Sequence, residues 1–181
     1  MSEVTTAVPT GTWVLDPSHT EIGFTVRHLV SKVRGKFEEF ESTVVVAENV
    51  ADSKASATIG LASINTGTPD RDKHIRSNDF FGVEENATMA FEATGIKEDG
   101  EDYIVTGDLT IKNVTKAVEL EVELLGVGSD PWGGTRVGFE AETDISRKDW
   151  GIDFNIPVQG QKLMIGDKVS IKITAEAVLQ A

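Results

Sequence analysis

The sequence contains no cysteine, which excludes disulfide bonds, thiolate metal sites and cysteine nucleophiles. It also has no apolar run near the roughly 20 residues that a membrane-spanning helix needs. Its first residues, MSEVTTAVPTGTW, include neither a basic segment nor an apolar one, so they do not read as a signal peptide. From these absences we expect a cytoplasmic protein without membrane insertion, with residues 1–10 as a flexible terminus.

Positive charge is scarce, because 17 Lys and Arg residues stand against 30 Asp and Glu residues, for a formal net charge of −13. A field of this sign repels phosphate backbones and anionic lipid surfaces. We therefore expect no nucleic-acid partner and no adsorption to a membrane surface. Length and the 39% of apolar residues suit one domain, residues 11–181, with a real core.

The short motifs of common enzyme classes are absent too: there is no HExxH, GxSxG, P-loop or dinucleotide fingerprint. The three histidines, His19, His28 and His74, are dispersed, so a metal site would need the fold to bring them together. We expect a protein that is not an enzyme and that needs no metal or cofactor. A metal-dependent enzyme that uses the histidines is the lesser alternative.

What the chain does have is apolar and polar residues alternating with period two, the pattern of β-strands with one buried face. Val118, Leu120 and Val122, for example, alternate with Glu119 and Glu121. Such patterns predict strands over residues 11–15, 22–28, 33–46, 55–61, 89–93, 103–111, 118–124, 137–145 and 169–177, the third with a bulge at 38–39. The prediction is an all-β fold: an extended antiparallel lipocalin-like barrel of about eight or nine strands, enough to hold a small ligand.

Many residues on the predicted inward faces are small. They are Ala55, Ala57, Ala93, Gly107, Ala141, Ala175 and Ala177. They could leave a tunnel through the barrel, or they could face bulky partners on the opposite wall of a solid core. The sequence leaves these two interpretations open.

Two segments, residues 65–87 and 146–168, interrupt the strand pattern. In the first, Thr68 as N-cap and Pro69 at the first helical position predict a short helix over 69–77, on which Asp72 and Arg76 can pair. Within it, RDKHIRSNDFF (71–81) joins a cationic cluster to two adjacent phenylalanines, and we interpret it as the contact for a ligand's polar head. The second segment is predicted to be an irregular flap over a barrel mouth.

Four blocks of sequence, WVLDPSHTEIGFTVRH, RDKHIRSNDFF, GDLTIKNVT and RKDWG, occur in the order typical of the YceI-like family of bacterial lipocalin-like proteins. The resemblance implies a barrel whose apolar interior binds a polyisoprenoid or another long-chain amphiphile. It points to Trp13, Asp16, His19, Phe24, His28, Arg71, Asp72, His74, Arg76, Ser77, Phe80, Phe81, Gly107, Leu109, Thr110, Thr115, Asp149 and Gly151. Asn113 departs from the glycine common in the family's hairpin, but Asn also tolerates a left-handed turn.

We therefore predict binding, sequestration or transport of a long-chain amphiphile, such as a polyisoprenoid, an isoprenoid quinone or a fatty acid derivative. The predicted ligand-binding residues are Phe24, His28, Arg71, His74, Arg76, Phe80, Phe81, Phe91, Phe139 and Trp150. A non-catalytic, stress-related interaction module is the alternative, and a homodimer is compatible with either.

Several of these residues also have structural interpretations. Asp16, Arg71, Asp72, Arg76 and Asp149 could form a network that fixes the 65–87 segment to the barrel. His28 could be a hydrogen-bonded core residue, and Trp13 and Trp150 could plug the barrel ends.

Overall fold

The computed structural model describes residues 8–158 and 162–181. Most of the predicted flexible terminus, residues 1–7, lies outside the described residues. The strands are β1 (Gly11–Leu15), β2 (Glu21–His28), β3 (Ser31–Phe37), β4 (Phe40–Val46), β5 (Lys54–Gly60), β6 (Ile64–Asn65), β7 (Thr88–Asp99), β8 (Asp102–Ile111), β9 (Val114–Ser129), β10 (Thr135–Ser146), β11 (Pro157–Val158), β12 (Lys162–Leu163) and β13 (Ile165–Leu179). The helix α1 spans Pro69–Arg76, and 3-10 turns lie at Pro17–His19, Val50–Asp52, Leu61–Ser63 and Arg147–Trp150.

Eight of these strands close into an antiparallel barrel in the order β1-β4-β5-β7-β8-β9-β10-β13, because β13 also pairs with β1. The long strand β13 pairs with three strands: β10 along one edge, and on the other edge β2 with its first part and β1 with its last residues. Strands β2, β3 and β6 extend the wall from β13. The predicted all-β barrel with one short helix is confirmed.

The predicted strand over 33–46 is wrong, because the chain breaks at Glu38 and Glu39 instead of bulging. β3 pairs with β2 and β6, whereas β4 pairs with β1 and β5. The backbone N–H groups of Glu38 and Glu39 both donate to Ser63 Oγ, at 3.1 and 3.0 Å. Their hydrogen bonds thus go to a 3-10 turn and not to a neighbouring strand, so the two halves of the segment can enter different parts of the sheet.

The helix forms almost where it was predicted, at the end of the barrel where β8 finishes and β9 begins. Thr68 occupies the N-cap position and Pro69 the first turn, although no side-chain cap hydrogen bond forms. Gly82 and Asn113 take positive φ values of 57° and 63°, which their residue types tolerate, and the prediction for Asn113 is confirmed. No helix in the described part of the chain combines the length and apolar character that crossing a bilayer requires.

Two of the apolar clusters lie towards opposite ends of the barrel. At the α1 end, Trp150 is 2% exposed and packs with Leu109 and Ile111. At the opposite end, which we call the Trp13 end, Trp13 is 1% exposed and packs with Val137 and Ala177. Both tryptophans are thus buried in apolar clusters at opposite ends of the barrel, and both also line its interior cavity.

Candidate functional site

A cavity of about 650 Å³ runs along the inside of the barrel. Its wall comprises inward side chains from all eight barrel strands and from β2 and β3, and most of these are aliphatic or aromatic. The volume lies within the range of small-molecule binding sites, and an apolar wall of this kind favours a largely hydrocarbon ligand.

The charged residues on the cavity wall are sorted by sign along the barrel. Among the described residues these are Arg27, Arg71 and Arg147 near the α1 end, and Glu48 and Glu98 towards the Trp13 end. Two histidines, His28 and His74, join the arginines. A ligand with an anionic or carbonyl head is therefore favoured electrostatically with its head at the α1 end.

Helix α1 holds Arg71 at this end through the segment that precedes the helix. The guanidinium of Arg71 donates from Nε to Thr66 Oγ1 at 2.8 Å and from Nη2 to the Thr66 carbonyl at 2.7 Å. Asp72, which is 8% exposed, accepts hydrogen bonds from the backbone N–H and the hydroxyl of the same Thr66. A guanidinium has five N–H donors, so Arg71 keeps donors that a ligand could use.

His74 sits in an aromatic cluster at the mouth beside α1. Its ring meets Phe80 and Phe154 edge to face, with centroid distances of 5.1 and 5.0 Å. Its Nε2 lies 2.8 Å from Asp79 Oδ2, which fixes the ring, and Nδ1 has no hydrogen-bond partner among the residues that the structure describes. The cluster places one polar atom among apolar rings, an arrangement suited to the junction between a head group and a chain.

Two glycines make room for phenylalanines on the cavity wall. A Cβ added at Gly107 would collide with the ring of Phe91, and one added at Gly35 would collide with the ring of Phe24. Each glycine lies on the strand next to that of its phenylalanine, and the tip of the ring occupies the space that a Cβ would take. The predicted inward positions of Phe24 and Phe91 thus depend on glycine in the adjacent strand.

The family of this chain is decided by comparison with known proteins. The model of the YceI-like domain matches residues 13–177. The chain belongs to the YceI-like family. Protein YceI of Escherichia coli O17:K52:H18 (strain UMN026 / ExPEC) is 40% identical over 164 residues, which cover 90% of this chain and 83% of that protein.

Solved structures agree with the barrel architecture. The crystal structure of the Campylobacter jejuni YCEI protein has a TM-score of 0.72 and 30% identity, over 92% of this chain and 97% of that one. A polyisoprenoid binding domain from Saccharophagus degradans, implicated in plant cell wall breakdown, has a TM-score of 0.70 over 93% and 98% of the two chains. At 14% identity this second likeness concerns the fold alone.

Nine of the ten predicted site residues of this YceI-like chain lie on the cavity wall. They are Phe24, His28, Arg71, His74, Phe80, Phe81, Phe91, Phe139 and Trp150. Arg76 does not lie on the wall, because α1 directs Arg71, His74 and Ile75 inward and Arg76 falls outside that face. The small residues Ala55, Ala57, Ala141 and Ala177 also line the cavity, which favours the tunnel over the solid core.

The network predicted from five charged residues is wrong. Asp16 pairs with Arg136, at 2.7 Å from Oδ2 to Nη1, on the outside of the barrel. Arg71 and Asp72 converge on Thr66, and no hydrogen bond within the described residues joins Asp72 to Arg76. Arg71 and Asp72 therefore tie helix α1 to the start of its own segment, through a threonine that the sequence did not point to.

Sequence reasoning also missed Arg147, which anchors the flap at the α1 end. Arg147 is 5% exposed and donates to the carbonyls of Gly166, Ile152 and Phe154 at 2.9, 2.8 and 2.9 Å. Burial lowers the pKa of its guanidinium. Most of its donors are used by carbonyls, so Arg147 holds the flap in place. It also contributes positive charge at the α1 end of the cavity. No sequence signal distinguishes such an arginine from an exposed one.

The histidines do not form a joint metal site. The group of potential ligands that the described residues do bring together is Asp16, His19 and Glu176, within 4.8 Å of one another. The guanidinium of Arg136 already lies 2.7 Å from Asp16 Oδ2 and 3.2 Å from Glu176 Oε2, so a cation is present there. Arg136 thus explains the cluster as a surface ion pair.

Proposed function

We propose that this YceI-like protein binds a long-chain amphiphile, with the chain along the barrel cavity and the head group at the α1 end. The observation that carries the proposal is the apolar cavity of about 650 Å³ with its arginines at one end and its glutamates at the other. The polyisoprenoid binding domain of Saccharophagus degradans, which has the same fold, supports a polyisoprenoid as the ligand class.

Burial of the ligand's hydrocarbon chain is by itself enough for substantial binding affinity. Each buried methylene contributes about 0.8 kcal/mol, so ten to fifteen carbons supply roughly 8 to 12 kcal/mol before ordering costs. The head group then sets orientation, by hydrogen bonds from Arg71 and from the free nitrogen of His74 to a phosphate, carboxylate or quinone oxygen. Both interactions bind a ligand, and neither changes it chemically. The similarity to YceI-like and polyisoprenoid binding domains also supports binding in preference to catalysis.

The first test is whether the delipidated protein binds an apolar probe. An environment-sensitive fluorescent probe should bind saturably, and a long-chain polyprenol should displace it. Native mass spectrometry of the purified protein, followed by identification of any released lipid, would name the physiological ligand. A protein that binds no apolar probe after delipidation would refute the proposal.

The second test separates the head group from the chain. We expect Arg71→Met to weaken binding of a polyprenyl phosphate by about 1.5 to 3 kcal/mol, the range for hydrogen bonds to charged groups, and to leave a polyprenol of equal length nearly unaffected. Because Arg71 also holds Thr66, a purely structural role would weaken both ligands alike and lower the melting temperature. Arg76→Ala on the same helix is the matched control and should leave the ratio of the two affinities unchanged. The cytoplasmic location and the homodimer stay predictions.

A further inference from the structure

The tip of the β2–β3 hairpin presents two aliphatic side chains to solvent. Leu29 is 44% exposed and Val30 is fully exposed. Leu29 also has a φ of 52°, in the left-handed region where two-residue hairpin turns usually carry Asn, Asp or Gly. The folded chain gains no burial from Val30, leaves Leu29 44% exposed and bears the strained conformation of Leu29, so folding alone does not account for an aliphatic pair at this turn.

Two more apolar side chains adjoin this tip. Ile156 and Leu163 are 45% and 39% exposed. The Leu29 N–H donates to the Met164 carbonyl at 2.8 Å, and the Met164 N–H donates to the Ile156 carbonyl at 3.0 Å, which joins the hairpin tip to the flap. We call Leu29, Val30, Ile156 and Leu163 the mouth patch.

The mouth patch lies next to the cavity. Four residues within two positions of Leu29 or Leu163 line the cavity: Arg27, His28, Met164 and Ile165. Arg27 also donates from Nη1 to the Leu29 carbonyl at 3.1 Å, so the cation is held directly behind the tip. A surface that contacted the mouth patch would therefore lie against the α1 end of the binding site.

The β2–β3 hairpin, which bears Leu29 and Val30, has a charge opposite to that of the whole chain. Residues 27–36 contain Arg27, Lys32, Arg34 and Lys36 but no Asp or Glu, in a chain of net charge −13. Arg34 borders a groove that also holds acidic residues of β9 and β10, which offset its charge. Arg27 and Lys32 are therefore the main source of positive charge beside the patch. These two lie directly opposite each other across the hairpin, an arrangement of like charges that a sheet does not favour by itself.

We propose that the mouth patch docks on an anionic lipid bilayer, with its aliphatic side chains in the interface and with Arg27 and Lys32 over the anionic head groups. The inference rests on the proposed function, because a docked mouth lets an apolar chain pass between bilayer and cavity without crossing water. The net negative charge does not prevent docking, since the Debye length is about 8 Å at physiological ionic strength and charges near the contact dominate.

Flotation with lipid vesicles tests this docking. The native protein should float with vesicles of phosphatidylglycerol and phosphatidylcholine and much less with phosphatidylcholine alone. The double variant L29N/V30G should reduce partitioning by about tenfold or more, because two aliphatic side chains are no longer buried. Its melting temperature should stay close to that of the native protein, since Asn tolerates the positive φ of position 29 and the side chain of Val30 is fully exposed. Lys32→Glu reverses one charge and should reduce partitioning to anionic vesicles by roughly thirtyfold.

The matched control is Trp132→Ser, which removes a side chain that is 79% exposed in the β9–β10 turn at the Trp13 end. It should leave partitioning unchanged. Absence of flotation by the native protein, or equal flotation of L29N/V30G, would overturn the docking proposal. So would a concentration-dependent dimer that L29N/V30G abolishes, because the patch would then be covered by a second copy. Probe binding in vesicle-free buffer keeps the two proposals apart: its retention alongside failed flotation rejects docking only, and its loss rejects the lipid-binding function.

Discussion

The replacement of Ala57 by Phe should block the cavity without unfolding the protein. Ala57 lies on β5 between Ser42 of β4 and Phe91 of β7, and its side chain lines the cavity. A phenyl ring at this position projects into the space that the proposed hydrocarbon chain occupies. The variant therefore distinguishes an open tunnel from a core that is already filled.

The expected loss of affinity follows from the carbon atoms that the ring displaces. A phenyl ring takes the place of about five or six methylenes, which at about 0.8 kcal/mol each amounts to roughly 4 to 5 kcal/mol, or about a thousandfold in dissociation constant. A chain that folds back to avoid the ring would lose less. In an open tunnel the ring fills empty space and costs little stability, whereas overpacking a solid core costs about 1 to 3 kcal/mol.

The assay is probe displacement by a polyprenol together with thermal unfolding. Ala117→Phe is the matched control, because it makes the same chemical change at an exposed position of β9. It should leave both affinity and melting temperature nearly unchanged. A stably folded Ala57→Phe variant with native affinity would show that the ligand does not use this part of the barrel, and the reasoning from the cavity would fail.

Three further predictions test the wall and the outer ion pairs. Burial raises the pKa of Tyr103, so its phenolate absorbance, the sole tyrosine signal of the chain, should titrate above pH 10 in the folded protein and near 10 in denaturant. The stability that this tyrosine contributes is present below about pH 10 and is lost as pH rises through the folded pKa. Hydrogen bonding from Arg136 holds the pKa of Asp16 well below its ordinary 3.8, so Arg136→Gln should lower the melting temperature at neutral pH, and its difference from the native protein should shrink as pH falls below about 3.8. An equal difference at every pH would contradict this pairing. Gly107→Ala should destabilise the fold by about 1 to 3 kcal/mol through its collision with Phe91, and Phe91→Leu in the same chain should recover part of that loss in a denaturant titration.

Alternation with period two predicted the barrel well because a strand wall with a ligand cavity on one side and water on the other has this pattern throughout. The failure at Glu38 and Glu39 has a specific cause. A bulge and a chain break look the same in the local sequence, and what separates them here is Ser63, which takes the two backbone hydrogen bonds from 24 and 25 residues away. Such a partner cannot be identified from the strand pattern.

The candidate site was predictable to the extent that it follows from strand parity and helix geometry. Phe24, Phe91 and Phe139 reach the cavity because they share a face with other apolar residues of their strands. Arg76 lies off the cavity wall for a reason that the sequence contained, since Arg71 and the residues three and four positions later share one helix face and Arg76 is outside it. Arg147 could not be predicted, because its role depends on carbonyls of the flap and of β13.

The net charge of −13 led to the expectation that anionic partners are excluded, and the structure shows why a sum of charges is a weak basis for that expectation. Salt screening limits the effect of each charge to a distance of roughly 8 to 10 Å. A partner at one end of the barrel is therefore attracted or repelled mainly by the charged residues at that end. The α1 end presents Arg27, Arg71 and Arg147 to the cavity, while Glu48 and Glu98 lie towards the other end. Under the proposed function, an anionic head group at the α1 end would meet these arginines in a protein that repels anions on average, and the acidic residues near the other end would not oppose its binding.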